Sequence, residues 1–196
     1  MLNIENLSDI TKNGLCIGCG LCQSIVGEDK ITISMTDKGR LEPEEVKSLS
    51  SEDFDKIKKI CPGVFVEGLP KEEVNENSKH DLIWGYYNSI FYSWSTDSKI
   101  RFQSSTGGFL NGLSLYLLET KQVDFILHTA GDPDQPMRSI PKFSYNKEDL
   151  LNCESRSRYG PASSLSKFNE ALDKNQNFAF VGKPCDISAI RQLSKS

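Results

Sequence analysis

The sequence predicts an α+β protein of two parts: a small cysteine-rich module, then an α/β domain with a partly parallel sheet. Two observations lead to this fold class. Residues 1–67 carry four patterned cysteines among short elements, and residues 82–196 alternate between buried strands and amphipathic helices, as α/β sheets do. Residues 68–81 are rich in proline, charged and amide residues, which predicts a polar linker.

Four cysteines define the first module. Cys16, Cys19 and Cys22 are each separated by two residues, and the distant Cys61 directly precedes Pro62. Bacterial ferredoxins hold a 4Fe–4S cluster with three thiolates in one loop and a remote fourth before a proline. We therefore predict a ferredoxin-like module in which these four cysteines bind a 4Fe–4S cluster.

The loop between these cysteines also suits a cluster. Gly18 and Gly20 can adopt positive φ and add no side chain against inorganic sulfide. Two alternatives stay open. Structural zinc prefers two pairs of ligands, and disulfides need an oxidising compartment.

The segments between the cysteines have regular local patterns. Alternating apolar residues predict a strand over 31–35 that enters a turn at 37–39. Ser51 is expected to cap a helix over 52–60 whose end presents Cys61. A module this small has little apolar core, so a bound cluster would contribute to its folding.

The second part alternates between the two element types. We predict strands at 90–94, 123–127 and 178–181, and helices at 109–118, at 161–173 and from Pro184 onward. In the last helix, Ile187, Ile190 and Leu193 are expected to face inward. Strands separated by helices indicate a sheet that is at least partly parallel.

Three loops in this part are candidates for binding an anionic cofactor. Two precede helices, where unpaired N–H groups and the helix dipole favour an anion. The third supplies arginines and an aromatic ring, which can grip phosphate and stack on a planar ring. Ordinary helix starts and a solvated surface loop are open alternatives. The candidates are Ser105, Thr106, Gly107, Gly108, Arg156, Arg158, Tyr159, Gly182, Lys183, Pro184 and Cys185.

The motifs at 16–22, 61–63, 104–108, 157–159 and 181–185 occur in one order along the chain. In that order they resemble the coenzyme F420 hydrogenase/dehydrogenase beta-subunit family, whose relatives include the 7-hydroxymethyl chlorophyll a reductases. The resemblance implies that the α/β domain binds FAD and that some members also take coenzyme F420.

The resemblance also assigns roles to the candidate residues. The loop at 103–108 would position a phosphate or ring edge through its backbone N–H groups, and Lys183 would neutralise phosphate charge. Arg156, Arg158 and Tyr159 would contact the anionic or planar parts of the cofactor. Family members extend well past the helix at Pro184, so we expect the flavin-binding domain to be incomplete at its C-terminus and FAD binding to need a complete domain.

Composition limits the partners. The net charge is −4 and no dense basic run is present, which argues against nucleic acid. No run approaches the roughly 20 apolar residues of a membrane span. We expect a cytoplasmic protein whose partner is a redox protein, such as a ferredoxin or another oxidoreductase subunit.

The leading prediction is an iron–sulfur flavoprotein oxidoreductase that passes electrons between a hydride-type donor or acceptor and the cluster through FAD. One alternative is a non-catalytic ferredoxin-like electron carrier whose α/β part is a docking domain. A second is a zinc-stapled binding module. Cys153 and Cys185 are expected to be structural thiols. His80 lies in the linker and His128 is expected to be a core histidine, so no acid or base is assigned.

Overall fold

The computed structural model describes residues 3–68, 70–152 and 158–196. Its elements in chain order are α1 Leu7–Lys12, α2 Leu21–Val26, β1 Ile31–Met35, β2 Leu41–Glu45, α3 Ser51–Ile60, a 3₁₀ turn at Lys71–Glu73, β3 Lys79–Asp81, β4 Gly85–Tyr87, α4 Ser98–Gln103, a tight turn at Thr106–Gly108, α5 Phe109–Glu119, β5 Phe125–Gly131, β6 Ser139–Ser144, α6 Lys147–Leu151, α7 Phe168–Asp173, β7 Phe178–Phe180 and α8 Pro184–Leu193.

The strands form two hairpins and one three-stranded sheet. β1 pairs with β2 and β3 with β4, both antiparallel. The larger sheet has the order β6–β5–β7, in which β5 is antiparallel to β6 and parallel to β7. This mixture of helices and small sheets agrees with the predicted α+β class, and the β5–β7 pair supplies the predicted parallel pairing.

The helix that ends at Cys61 begins one residue earlier than predicted. Ser50, rather than Ser51, is the N-cap of α3, and its Oγ accepts the Asp53 N–H at 3.1 Å. Ile57 and Ile60 are buried. Cys61 is the C-cap residue, as the pattern predicted.

The cysteine-rich part and the sheet share one hydrophobic core. Leu21 and Ile60 from the first part pack in the same cluster as Phe125 from the central strand. The Leu165 N–H donates to the Cys19 carbonyl at 2.8 Å. The cysteine loop is therefore packed directly on the segment that leads into α7. The domain boundaries at 67 and 82 remain a prediction, and β3 lies within the predicted linker.

The predicted strand at 90–94 is wrong. The segment is irregular, and Ile90, Phe91 and Tyr92 are 84%, 79% and 98% exposed. Within the described ranges, no strand pairs with it. Aromatic and branched residues favour strands by fitting a half-buried pleated surface, and no described strand provides such a surface for residues 90–94.

The predicted helix at 161–173 is too long, since α7 begins only at Phe168. Ala162 forms an isolated parallel bridge to Ser139. Ser164 Oγ donates to the Asp186 carboxylate at 2.7 Å, and the Leu165 N–H bonds Cys19. These long-range hydrogen bonds hold the first half of the segment in an extended and turned conformation.

Helix α8 begins at Pro184, as predicted. Ile190 and Leu193 pack against the shared core, but Ile187 is 38% exposed rather than inward-facing. In the part of the chain that the structure describes, no helix is long and apolar enough to cross a bilayer.

The shared core gives the first prediction. Leu165 is fully buried, so Leu165→Ala should lower the free energy of unfolding by about 2–5 kcal/mol through lost burial and a residual cavity. The control is Leu172→Ala, because Leu172 is 45% exposed and should lose about 1 kcal/mol or less. Urea unfolding followed by circular dichroism measures both. Equal losses would contradict a shared core.

Candidate functional site

The four predicted cysteine ligands line a single small cavity. Cys16 and Cys19 lie in the loop before α2, Cys22 lies in α2, and Cys61 follows α3. The other side chains around this cavity are apolar and include Leu7, Ile10, Ile33, Ile57 and Ile60. All four cysteines therefore border one apolar space.

Two glycines allow the loop to curl as predicted. Gly18 has φ +69° and Gly20 has φ +82°. A Cβ on Gly18 would lie 2.7 Å from the Leu41 carbonyl oxygen, and one on Gly20 would lie 2.9 Å from the Ser166 Cβ. Conformation and close packing both require glycine at these positions.

Backbone N–H groups point at the cysteine sulfurs. The Gly18 N–H lies 3.4 Å from Cys16 Sγ, and further backbone hydrogen bonds reach Cys19, Cys22 and Cys61. These bonds lower the thiol pKa values, but burial outweighs them and raises all four, that of Cys22 to about 12. The free thiols are thus protonated at neutral pH, and metal binding there would release protons.

The four cysteines can be compared with what a single metal ion and what a cluster would need. Within residues 3–68, 70–152 and 158–196, no three or more His, Cys, Asp or Glu side chains converge closely enough to hold one metal ion. A cubane carries its irons at four separate corners and takes one thiolate at each. Four thiols around one cavity, with N–H donors to sulfur, are compatible with that chemistry.

A second cavity, of about 330 Å³, lies beside the end of β7 and the start of α8. It brings together parts of all three predicted loops: Ser105 and Thr106, Arg158, and Gly182 and Lys183. Open α/β sheets bind ligands at the carboxyl ends of their parallel strands. The second cavity lies at this end of the parallel β5–β7 pair.

Other predicted residues do not line the cavity: Gly107, Gly108, Tyr159, Pro184 and Cys185. A Cβ on Gly107 would point at Trp94, 3.0 Å from its Cβ, so this glycine serves local packing. The Tyr159 side chain is fully exposed. Arg156 and Cys153 lie outside the described residues.

Several lining residues were not predicted. Five of them are polar: Asn111, Ser114, His128, Thr129 and Asp186. Asp186 carried a usable signal, because an acidic residue in the first helical turn after a proline is typical of a capped helix start. Asn111 and Ser114 gave no such signal, because they lie in an apolar helix whose partner surface the sequence does not reveal.

Asp186 has no exposed surface. Its Oδ2 accepts hydrogen bonds from Ser164 Oγ at 2.7 Å and the Lys183 N–H at 3.0 Å, and Lys183 Nζ lies 3.2 Å away. Its Oδ1 has no hydrogen-bond partner among the described residues. Lys183 was predicted to neutralise the charge of a phosphate, and its ammonium group also pairs with the Asp186 carboxylate.

Arg158 is held at the cavity wall by backbone carbonyl groups. Its Nη2 donates to the Arg138 carbonyl at 3.0 Å and also to that of Pro136. A Cβ on Gly131 would lie 3.1 Å from Arg158 Nη1, so the guanidinium covers the end of β5. Two cations and one carboxylate thus face the cavity, with Lys183 close to the carboxylate.

His128 is buried in the wall of the same cavity, as a core histidine. Its Nε2 lies 2.8 Å from Ser144 Oγ. Burial lowers its pKa to about 4, and the charge of Lys142 contributes in the same direction. The imidazole is therefore neutral at pH 7, and His128 adds a polar edge without charge.

Comparison with known proteins gives matches to one family. Residues 90–169 match the family model for the N-terminal part of the coenzyme F420 hydrogenase/dehydrogenase beta subunit. The chain is 27% identical over 114 residues to the coenzyme F420 hydrogenase subunit beta of Methanococcus voltae, covering 57% of this chain and 40% of that protein. It is 31% identical over 101 residues to the F420-dependent formate dehydrogenase subunit beta of Methanocaldococcus jannaschii, covering 52% and 26%.

A chain of the F420-reducing NiFe hydrogenase complex from Methanosarcina barkeri matches with 28% identity and a TM-score of 0.47, covering 52% of this chain and 35% of that one. The curated relatives are subunits of oxidoreductases. The resemblance predicted from the motifs is confirmed: residues 90–169 match the family model for the N-terminal part of the coenzyme F420 hydrogenase/dehydrogenase beta subunit. The matches span less than half of the curated relatives' own length.

The lowered pKa of His128 predicts acid sensitivity. Between its unfolded pKa near 6.5 and its folded pKa of about 4, the unfolded chain binds the extra proton, so stability is present above this window and is lost as pH falls through it. The loss should reach about 2 kcal/mol at pH 4.5. Urea unfolding at pH 7 and 4.5 measures it. Between pH 7 and 4.5, the His128→Gln variant should lose about 2 kcal/mol less stability than the wild-type protein. An unchanged pH dependence in the variant would contradict the assignment of the acid sensitivity to His128.

Thr106 lines the cavity in a strained conformation. Its φ is +54°, which is uncommon for a β-branched residue. We predict that Thr106→Gly raises the free energy of unfolding by about 1 kcal/mol, because glycine removes the strain. Thr120→Gly is the control, since Thr120 has φ −84° and should gain nothing. A loss of stability in Thr106→Gly would show that its side-chain contacts outweigh the strain.

Proposed function

We propose that the chain is part of an iron–sulfur flavoprotein oxidoreductase, with a 4Fe–4S cluster at the four cysteines and the ring of FAD in the second cavity. One observation carries this proposal: a short hydrogen-bonded connection joins the two places. Asp186 on the cavity wall accepts from Ser164, and the next residue, Leu165, donates to the carbonyl of Cys19. Cofactors so placed would lie at the two ends of this connection.

The cavity lining supports a planar anionic ligand. Phe109, Leu110 and Leu150 provide apolar walls, while Arg158 and Lys183 provide positive charge. A volume of about 330 Å³ is at the small end of cofactor sites. It suits a ring system better than a whole dinucleotide, so the rest of FAD would extend over the surface or against a further part of the protein.

Each cofactor would supply different chemistry: bound flavin exchanges a hydride and releases its electrons singly, and the cluster carries one electron at a time. The chain's own residues bind and orient. Arg158 and Lys183 attract the anionic part of the cofactor, and the apolar wall excludes water from the ring. The N–H groups around Cys16 and Cys61 stabilise negative charge on sulfur.

Coenzyme F420 is the proposed hydride donor or acceptor, because both curated relatives carry it in their names. Those relatives are subunits, so the proposed partner is another oxidoreductase subunit or a ferredoxin. We propose a cytoplasmic location. The cluster would pass electrons onward to that partner.

One experiment tests the proposal. The chain is purified anaerobically through an affinity tag from its own cells, so that any longer form or partner subunit stays bound. We expect about four irons with labile sulfide per chain, together with FAD absorbance and reduction by reduced coenzyme F420. Iron without flavin would support a plain electron carrier, and one zinc per chain a zinc-stapled binding module. Either result would contradict the proposal.

The cysteine ligands give a separate prediction. Cys16→Ala, Cys19→Ala, Cys22→Ala and Cys61→Ala should each lose the cluster and destabilise the first module, because metal binding is coupled to folding. Iron analysis and cluster absorbance measure the loss. Cys185→Ser is the control and should keep full iron content, since Cys185 does not line the cysteine cavity. A complete cluster in the Cys61 variant would disprove the fourth ligand.

A further inference from the structure

One buried oxygen has no hydrogen-bond partner among the described residues. Asp186 lines the second cavity and has no exposed surface. Its Oδ2 already accepts from Ser164 and Lys183, whereas its Oδ1 accepts from neither and has no other described donor. A carboxylate oxygen that cannot reach water needs a donor. Asp186 is among the residues that line the second cavity, so a ligand bound there could supply that donor.

The same carboxylate lies close to the cysteine module. Ser164 donates to Asp186, and the next residue, Leu165, donates to the Cys19 carbonyl. A ligand group that bonds Asp186 would therefore sit at the cavity wall nearest the cysteine loop.

We propose that Asp186 binds the cofactor ring directly, with Oδ1 accepting a hydrogen bond from the imide N–H of the flavin. This inference rests on the proposed function and deepens it by naming the residue that orients the ring. The imide N–H is the one ring N–H of an oxidised flavin. A carboxylate oxygen accepts from it, and the donors on Oδ2 hold the carboxylate in place.

The test varies the two partners of this bond together. Asp186→Asn can keep an oxygen facing Ser164 and Lys183 while replacing the unpaired acceptor with an N–H donor. Flavin methylated at the imide nitrogen removes the donor without any mutation. Flavin affinity is measured by fluorescence quenching for both proteins with both ligands, on the preparation described above after its flavin has been removed.

We expect Asp186→Asn to weaken flavin binding at least about tenfold, because a hydrogen bond to a charged group is lost. The methylated flavin should bind the wild-type protein about as weakly, and the variant should lose little further affinity on methylation. An equal methylation penalty in both proteins would indicate a steric effect only and would overturn the assignment. So would a variant that binds flavin normally.

A matched control tests whether losing the buried cap alone explains the effect. Asp53 repeats the local arrangement in α3: its Oδ2 accepts from Ser50 Oγ at 2.8 Å and lies 2.8 Å from Lys30 Nζ. It does not line the flavin cavity. Asp53→Asn should therefore keep flavin affinity within about twofold, the scatter expected of a distant site. A loss equal to that of Asp186→Asn would overturn the direct contact.

The outcomes separate this inference from the proposed function. Flavin binding by the wild-type protein with no effect of Asp186→Asn or of methylation would leave the proposed function in place and overturn the role of Asp186. No flavin binding by the wild-type protein would overturn both. Circular dichroism and thermal unfolding of each variant show whether a loss of affinity follows from a loss of fold.

Discussion

The contact between the cysteine loop and residues 163–166 is the constraint on which the rest of the structure depends. Leu165 contributes its side chain to the shared core and its N–H to the Cys19 carbonyl. A Cβ on Gly20 would lie 2.9 Å from the Ser166 Cβ, so the two backbones meet closely. Because of these contacts, the α/β part holds the backbone of the cysteine loop in place as well as the module itself does.

This contact also explains why the segment before α7 is not helical. A helix there would turn the Leu165 N–H inward to its own carbonyl partner and remove it from Cys19. The Ser164 hydroxyl would move as well, and Asp186 would lose its 2.7 Å hydrogen bond. The cysteine loop, the shared core and the cavity wall thus all depend on the irregular segment before α7. Tertiary contacts override the helix propensity of this segment.

The features that were predicted correctly from the sequence are those that local chemistry determines. Cysteine spacing and the Pro184 helix start depend on a few neighbouring residues, and the structure has four thiols around one cavity and α8 beginning at Pro184. The strand at 90–94 was wrong because strands need partners that are distant in sequence. Gly107 does not line the second cavity, and a Cβ there would lie 3.0 Å from the Trp94 Cβ, so its expected cofactor contact stays a prediction. Site residues such as Asp186 become visible only when separate loops meet.

Helices α3 and α8 begin with the same local arrangement around an aspartate, but the two aspartates differ in burial. Asp53 and Asp186 each accept from a serine and lie beside a lysine. The Asp53 side chain keeps 12% exposure, and its hydrogen bonds with Lys30 and Ser50 lower its pKa to about 2. Asp186 keeps none. A buried acceptor without a donor costs about 1–3 kcal/mol, so a ligand that brings the donor regains that free energy on binding.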